Sequence, residues 1–294
     1  MYKIGIDLGG TKIEGVLLDQ TGKILARERC ATEQERGYAH ILGRIEALYR
    51  SLVKRSGGAQ HTFGIGTPGA ISPRSGLLRN SNTQCLNNQP FKQDLEAALS
   101  RKIAIQNDAN CFAMAEAGLG AAQGRNLVFG VIMGTGCGGG IVYKGEVVTG
   151  PLAIAGEWGH TTIDPHGPQC WCGKRGCVET LISGGGLERL YMSRYGMQRA
   201  LADIVGDLRA GDAHASEFMD EFFGNFGRAL SNVVNILDPD MVVLGGGVSN
   251  IDELYNTGIL RVREMVFSDC CETPIVKNQL GDSAGVIGAA LIGV

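Results

Sequence analysis

Gly5-Ile6-Asp7-Leu8-Gly9-Gly10-Thr11-Lys12 sets the reading of this chain: an apolar strand carrying one acid, then a glycine pair, a hydroxyl and a cation. A second stretch of the same kind lies far along the sequence. Val131-Ile132-Met133 is apolar, Gly134-Thr135-Gly136-Cys137-Gly138-Gly139-Gly140 is the turn, and Ile141-Val142 the return. Each reads as strand, glycine turn and strand. Glycine admits φ > 0 and lets backbone N–H groups approach an anion closely. One such turn alone reads first as an ordinary hairpin. Two, each with a threonine, point to the halves of a clamp around one polyphosphate. Neither follows the P-loop pattern, which runs from glycines through Lys-Ser/Thr into a helix. Gly134, Gly136 and Gly139 have dinucleotide-fingerprint spacing, but a β-branched strand follows where that motif needs a helix.

Bulk properties narrow the function classes. The 294 residues suffice for two ordinary domains. A net charge of −3 leaves no basic balance for nucleic acid, and no Lys/Arg cluster marks a membrane surface. Glycines number 45 and aromatics make up 6%, which suits a loop-rich α/β enzyme. The opening residues do not read as a secretory leader, and no apolar run approaches the ~18 residues of a membrane span. A cytoplasmic setting is therefore expected, and the nine cysteines are read as reduced. Cys30, Cys85, Cys111, Cys137, Cys270 and Cys271 are scattered or adjacent and read as small buried residues or incidental thiols.

Strand and helix signals alternate along the chain. Residues 2–8 and 13–18 form a hairpin, with a third strand near 23–30. Ile41, Leu42, Ile45, Leu48 and Leu52 recur at helical spacing. Strands at 63–66 and 103–105 follow, then an alanine-rich helix over 109–120. A second cycle starts at 127–133 and 140–143. Phe218, Phe222, Phe226, Leu230, Val233 and Leu237 mark a long amphipathic helix that Asp238-Pro239 ends. Met241–Leu244 is a buried strand closing on Gly245-Gly246-Gly247. The expectation is a duplicated α/β unit with a cleft between the copies: an N-terminal domain over 1–117, a C-terminal domain over 118–294, and a last helix near 282–294 packing back on the N-terminal domain.

His160, Cys170, Cys172 and Cys177 form the strongest local signal, with three cysteines inside eight residues. Three thiolates and an imidazole make a tetrahedral set suited to Zn²⁺, and four protein ligands make such a site structural. Cys-x-Cys is tighter than the usual Cys-x2-Cys, and a redox cluster is the competing reading. His166 sits in a Pro/Gly loop and is set aside as a ligand. Among carboxylates, Asp108 ends a strand beside Asn107 and starts a helix, which makes it a helix cap or a base. Glu157 precedes His160, and Glu179 lies two residues past Cys177, so a metal tie would fix both acids near each other. Asp7 stands inside an apolar strand, where an unpaired carboxylate is costly; a metal ion or phosphate-bound cation would account for it.

Taken together, Gly5–Lys12, Gly66-Thr67-Pro68-Gly69, Asn107-Asp108-Ala109-Asn110, Gly134–Gly140, Glu157-Trp158-Gly159-His160 and Cys170–Glu179 resemble, in this order, the ROK sugar kinases. The resemblance spans essentially the whole chain. Asn82–Phe91, Gly134–Cys137 and Cys270–Pro274 look most like the bacterial fructokinases of that family. The fold it implies is the duplicated actin-like, ribonuclease-H-like ATPase fold. Asp108 matches the catalytic base. Asn107, Glu157, His160 and Glu179 match sugar ligands, His160 with one ring nitrogen toward zinc and the other toward the sugar. Cys170, Cys172 and Cys177 match the remaining zinc ligands. Gly9, Gly10, Thr11 and Lys12 match one phosphate turn, and Gly134, Thr135, Gly136, Cys137 and Gly138 the other. Asp7 matches the Mg²⁺-associated acid and Gly245, Gly246 and Gly247 the adenosine-side loop.

The resemblance thus implies an ATP- and Mg²⁺-dependent hexose kinase with a structural Zn²⁺, working as a homodimer with no nucleic-acid or membrane partner. The first strand begins at residue 3, which removes the reading as a DNA-binding regulator with an N-terminal helix-turn-helix. Fructose is the expected sugar. Glucose or an N-acetylhexosamine is the alternative, and a non-catalytic sugar sensor is the reading from another class. Trp171 is the departure in the zinc loop, a bulky residue on the side of the sugar.

Overall fold

The computed structural model describes residues 1–294. In chain order, β1 (Tyr2–Leu8), β2 (Lys12–Leu18) and β3 (Ile24–Ala31) form an antiparallel meander, and α1 (Tyr38–Arg55) leads to β4 (His61–Thr67), parallel to β1. A small hairpin of β5 (Ala70–Ile71) and β6 (Leu78–Arg79) precedes α2 (Phe91–Leu99), β7 (Ala104–Asn107) and α3 (Asp108–Leu119). There follow β8 (Leu127–Met133), β9 (Cys137–Tyr143) and β10 (Glu146–Val147), then α4 (Val178–Ile182), α5 (Gly184–Tyr195), α6 (Leu201–Arg209) and α7 (Ala213–Leu237). The chain closes with β11 (Met241–Gly245), α8 (Thr257–Met265), β12 (Ile275–Lys277) and α9 (Ala284–Leu291). The two sheets have orders β3-β2-β1-β4-β7 and β10-β9-β8-β11-β12. Three strands of a meander followed by two parallel strands therefore occur twice, the repeat signalled by the two glycine turns.

The residues fall into two compact units. Unit one holds Met1–Gly124, Gly140–Ala155 and Gln279–Val294; unit two holds Arg125–Gly139 and Gly156–Asn278. The sequence reading had a single break at 117/118. The contacts instead put the first break after Gly124 and return two later segments to unit one.

In unit one, Ile4, Ile6 and Leu8 alternate along β1 into a core shared with Ile41, Ile45, Leu48 and Leu52 of α1. On the opposite face the sheet is bare backbone at Gly5 and Gly64. Gly5 of β1 pairs in register with Gly64 of β4. A Cβ at Gly5 would lie 2.3 Å from the Ala290 nitrogen, and one at Gly64 2.1 Å from the Ala289 oxygen. These glycines let α9 lie directly on the sheet. The same helix meets α3 where a Cβ at Gly288 would fall 1.7 Å from the Cys111 oxygen.

In unit two, Val128, Phe129, Val131 and Met133 of β8 are buried, as are Val242, Val243 and Leu244 of β11. Helix α7 buries Phe218, Phe222, Phe226 and Leu230 and ends at Asp238, whose φ of 44° is left-handed, directly before Pro239. No helix is long and apolar enough to cross a membrane.

Candidate active site

Unit one places the first glycine turn and the acids together. The turn closes with the Gly9 N–H on the Lys12 carbonyl at 2.9 Å. The buried Thr32 braces it, donating its hydroxyl to the Gly9 carbonyl at 2.7 Å and its N–H to the Thr11 carbonyl at 3.0 Å. Asp7 sits one residue before the end of β1. A Cβ at Gly66 would stand 3.2 Å from both Asp7 Oδ1 and Cys111 Sγ, and one at Gly285 3.1 Å from Asp7 Oδ2. Glycine at these two positions is what leaves space around the carboxylate. Burial pushes the Asp7 carboxyl up to about 7, with the charges of Asp108 and Glu14 adding to the shift and Lys12 opposing it. Glu14, opposite Asp7 in register, is itself held by Arg27 at 2.5 Å and Arg29 at 2.6 Å.

Asp108 is the first residue of α3, and its cap role falls to its neighbour. Asn107 is the N-cap; its side-chain oxygen accepts the Asn110 N–H at 2.8 Å. The Asp108 carboxylate accepts the Ala109 N–H at 2.8 Å and stays open to solvent. Protein atoms nonetheless crowd it. That desolvation raises its carboxyl pKa, against the lowering effect of the backbone N–H groups of Ala109 and Asp108. Cys111 is buried, and burial, with Asp7 and Asp108, pushes its thiol well up. It is a packed thiol rather than a nucleophile.

Unit two places the second turn beside a cavity. The turn closes with the Gly134 N–H on the Gly136 carbonyl at 2.9 Å, and the Gly184 N–H donates to the Gly134 carbonyl at 2.8 Å. Gly134 and Thr135 line a cavity of about 660 Å³ with Gly184, Gly185, Leu201, Val205, Gly247 and Ile251 among its walls. The volume suits a drug-sized ligand. Helix α5 starts at this wall, with the Ser183 hydroxyl accepting the Gly186 N–H at 3.0 Å. The N-terminus of a helix favours anions through its dipole and N–H groups. The run Ser183–Gly186, absent from the sequence reading, is therefore part of the site; a capping hydroxyl followed by three glycines was the signal. Of the expected adenosine loop, Gly247 lines the cavity. Gly245 ends β11, and Gly246, at φ 80°, crosses Met133, where a Cβ would meet its carbonyl oxygen at 2.4 Å.

The metal-ligand candidates also converge in unit two. One donor atom from each of His160, Cys170, Cys172 and Cys177 lies within 4.8 Å of the others. His160 Nδ1 faces Cys170 Sγ at 3.6 Å, and the Cys172 and Cys177 sulfurs are 3.6 Å apart. A tetrahedral ion with metal–sulfur bonds of ~2.3 Å needs sulfurs a little under 4 Å apart, so the set fits Zn²⁺. Gly176, with φ 57°, lets the loop turn past Asp164, whose oxygen a Cβ would meet at 1.5 Å. Glu157 stands at the N-terminal end of the 3-10 turn Trp158–His160 without a side-chain capping bond. Glu179 spans two features: one oxygen accepts the Cys137 N–H of the glycine turn at 3.0 Å and the other the Trp171 indole N–H at 2.7 Å.

The chain matches the ROK family over residues 3–293 and belongs to it. It is 36% identical over 300 residues to an N-acetyl-D-glucosamine kinase of Photobacterium profundum, covering 99% of this chain and 98% of the relative. Among solved structures, it superposes on a ROK hexokinase from Thermus thermophilus with a TM-score of 0.91 at 33% identity, covering 100% of this chain and 98% of the other. A ROK family glucokinase from Streptomyces griseus, crystallised with glucose and AMPPNP, gives a TM-score of 0.78 at 28% identity, with 100% and 99% covered.

The raised Asp7 carboxyl has a measurable consequence. With a folded pKa of about 7 and an ordinary value near ~4 in the unfolded chain, the folded state binds more protons across that window. Its stability therefore falls as pH rises from about 4 to about 7. In metal-free buffer, Asp7→Asn should raise Tm relative to the parent chain more at pH 8 than at pH 5. Thermal denaturation giving the same difference at both pH values would contradict the shift.

Proposed function

We propose that this protein transfers the γ-phosphoryl of ATP to the primary hydroxyl of a hexose. The observation that carries the reading is the unit-two cavity, bounded by the Gly134–Thr135 turn and by the capped N-terminus of α5. Such a wall suits phosphates, and Leu201, Val205, Val248 and Ile251 give the same cavity an apolar part suited to a purine. Family membership over residues 3–293 supports the same reading.

In this reading Asp108 accepts the proton of the sugar hydroxyl, and its raised pKa suits a base. Asn107, Glu157, His160 and Glu179 bind the sugar. The turns Gly9–Lys12 and Gly134–Gly138 orient phosphates through backbone N–H groups. Asp7 would hold Mg²⁺, which supplies charge neutralisation in phosphoryl transfer. The shift of Asp7 fits that role, because a neighbouring cation favours the ionised form. His160, Cys170, Cys172 and Cys177 would hold Zn²⁺ in a closed, structural site. The setting is cytoplasmic.

N-acetyl-D-glucosamine is the sugar the comparisons favour: the curated relatives named N-acetyl-D-glucosamine kinase include one from Pasteurella multocida, 36% identical over 302 residues. Fructose remains the second reading, on the strength of Asn82–Phe91. Several side chains of that segment are engaged in folding it. Asn87 accepts the Ser81 N–H and donates to the Ser81 carbonyl, each at 2.9 Å, and Leu86 and Phe91 are fully buried.

An ADP-release assay with N-acetylglucosamine, glucose, mannose and fructose should give the highest kcat/KM for N-acetylglucosamine. Fructose as best substrate would restore the fructokinase reading, and turnover of no hexose would support a sensor instead. Elemental analysis should find one Zn²⁺ per chain, lost in Cys172→Ser together with sugar affinity, since the ion fixes His160 and the approach to Glu179. A full-activity protein with no metal would contradict the assignment.

A further inference from the structure

Trp171 lies between two of the cysteines, and its side chain is 69% exposed. An indole left in water at the tip of a loop buries little apolar surface there, so packing does not explain it. Its contacts are specific. The indole N–H donates to Glu179 Oε1 at 2.7 Å, and the ring stands edge-on to His160, with centroids 4.8 Å apart and an interplanar angle of 89°. Glu179 Oε2 takes the Cys137 N–H at 3.0 Å. Glu179 lies in the first turn of α4, and its backbone is fixed by the Ser183 N–H on its carbonyl at 3.2 Å.

We propose that Trp171 is a positioning residue that orients the Glu179 carboxylate for a hydroxyl of the sugar. This rests on the sugar-kinase reading above. With one donor on each oxygen, the carboxylate plane is set at both ends. Each oxygen retains a second lone pair for a hydroxyl donor. The partner chemistry is therefore a polyhydroxylated ring presenting an O–H toward Glu179. The indole bond is charge-assisted, the stronger class of hydrogen bond. The Cys137 bond makes the arrangement shared: the carboxylate that Trp171 orients also holds the end of the second glycine turn, so its disorder would be felt at the nucleotide side as well.

Two substitutions separate the donor from the ring. Trp171→Phe keeps an aromatic edge for His160 and removes the N–H. Trp171→Gln removes the ring and keeps a donor. The first should raise the sugar KM by about tenfold with a smaller change in kcat, the scale of one lost hydrogen bond to a charged group. The second should stay closer to the parent chain in sugar KM than the first. Zinc content should be unchanged in Trp171→Phe. The Trp171 indole N–H resonance of the parent chain should move in Glu179→Gln and on addition of the phosphorylated sugar without nucleotide. A sugar KM for Trp171→Phe equal to that of the parent chain overturns the proposal, as does loss of zinc in Trp171→Phe, which would make the indole part of the metal loop alone. If the parent chain phosphorylates no hexose, the kinase reading fails, while the response of the indole resonance to Glu179→Gln still reports the contact itself.

Discussion

A carboxylate that water reaches poorly governs the design of unit one. Asp7 is set between Gly66, Cys111 and Gly285, with Asp108 and Glu14 adding negative potential. Left alone, such a group takes up a proton rather than keep its charge. Ionised at neutral pH, it needs a cation, which is what a metal–nucleotide complex brings. The surrounding sequence follows from that demand. Glycines at 66 and 285 leave space for the carboxylate, and Gly5 and Gly64 bring α9 down onto the sheet so that Gly285 is beside it. Glu14, the acid in register with Asp7, has its own charge answered by Arg27 and Arg29. Neither Asp7 nor Asp108 has such an ion pair, and their potentials add where a cation would be attracted.

Unit two solves a different problem. The segment around residues 160–177 presents exposed Trp171, Lys174 and Arg175 and has few apolar side chains of its own. His160, Cys170, Cys172 and Cys177 converge within it, and in the proposed function an ion held by them would tie the segment together. Glu179 then passes the order of that loop to the glycine turn through the Cys137 amide. The Cys/His cluster, Glu179 and the second glycine turn are thus joined by direct contacts, so that under the proposed function a change at the metal would be felt at the turn.

Much of this was legible in the sequence because it rests on local chemistry. The strand–glycine–strand turns need only the alternation of Ile4, Ile6 and Leu8 and the permissive glycines beyond them. The cysteine spacing announces a tetrahedral site without any tertiary information. What the sequence hid depends on partners distant in the chain. The return of residues 140–155 to unit one goes with the close approach of Gly140 to Ala109, where a Cβ would lie 2.5 Å from the carbonyl oxygen. The role of Ser183–Gly186 follows from its bond to Gly134. Asn107 rather than Asp108 caps α3 because it alone precedes the helical residues with extended backbone, at φ −70° and ψ 165°. Gly246 also answers a packing demand that the sequence does not show, since a Cβ there would meet the Met133 carbonyl oxygen at 2.4 Å. The segment Asn82–Phe91 looked like that of the bacterial fructokinases, and in the structure Leu86, Asn87 and Phe91 also serve its own folding.

The assignment of the cap to Asn107 makes the central claim directly testable at Asp108. Replacing Asp108 by Asn leaves the cap and its bond to Asn110 in place, so the fold should be indifferent to the change, while proton acceptance is lost. Steady-state phosphorylation of the best hexose by Asp108→Asn, with Tm measured in parallel, is the direct measurement. The account predicts a fall in kcat of roughly 10²–10⁴ with Tm nearly unchanged. A kcat close to that of the parent chain would contradict it.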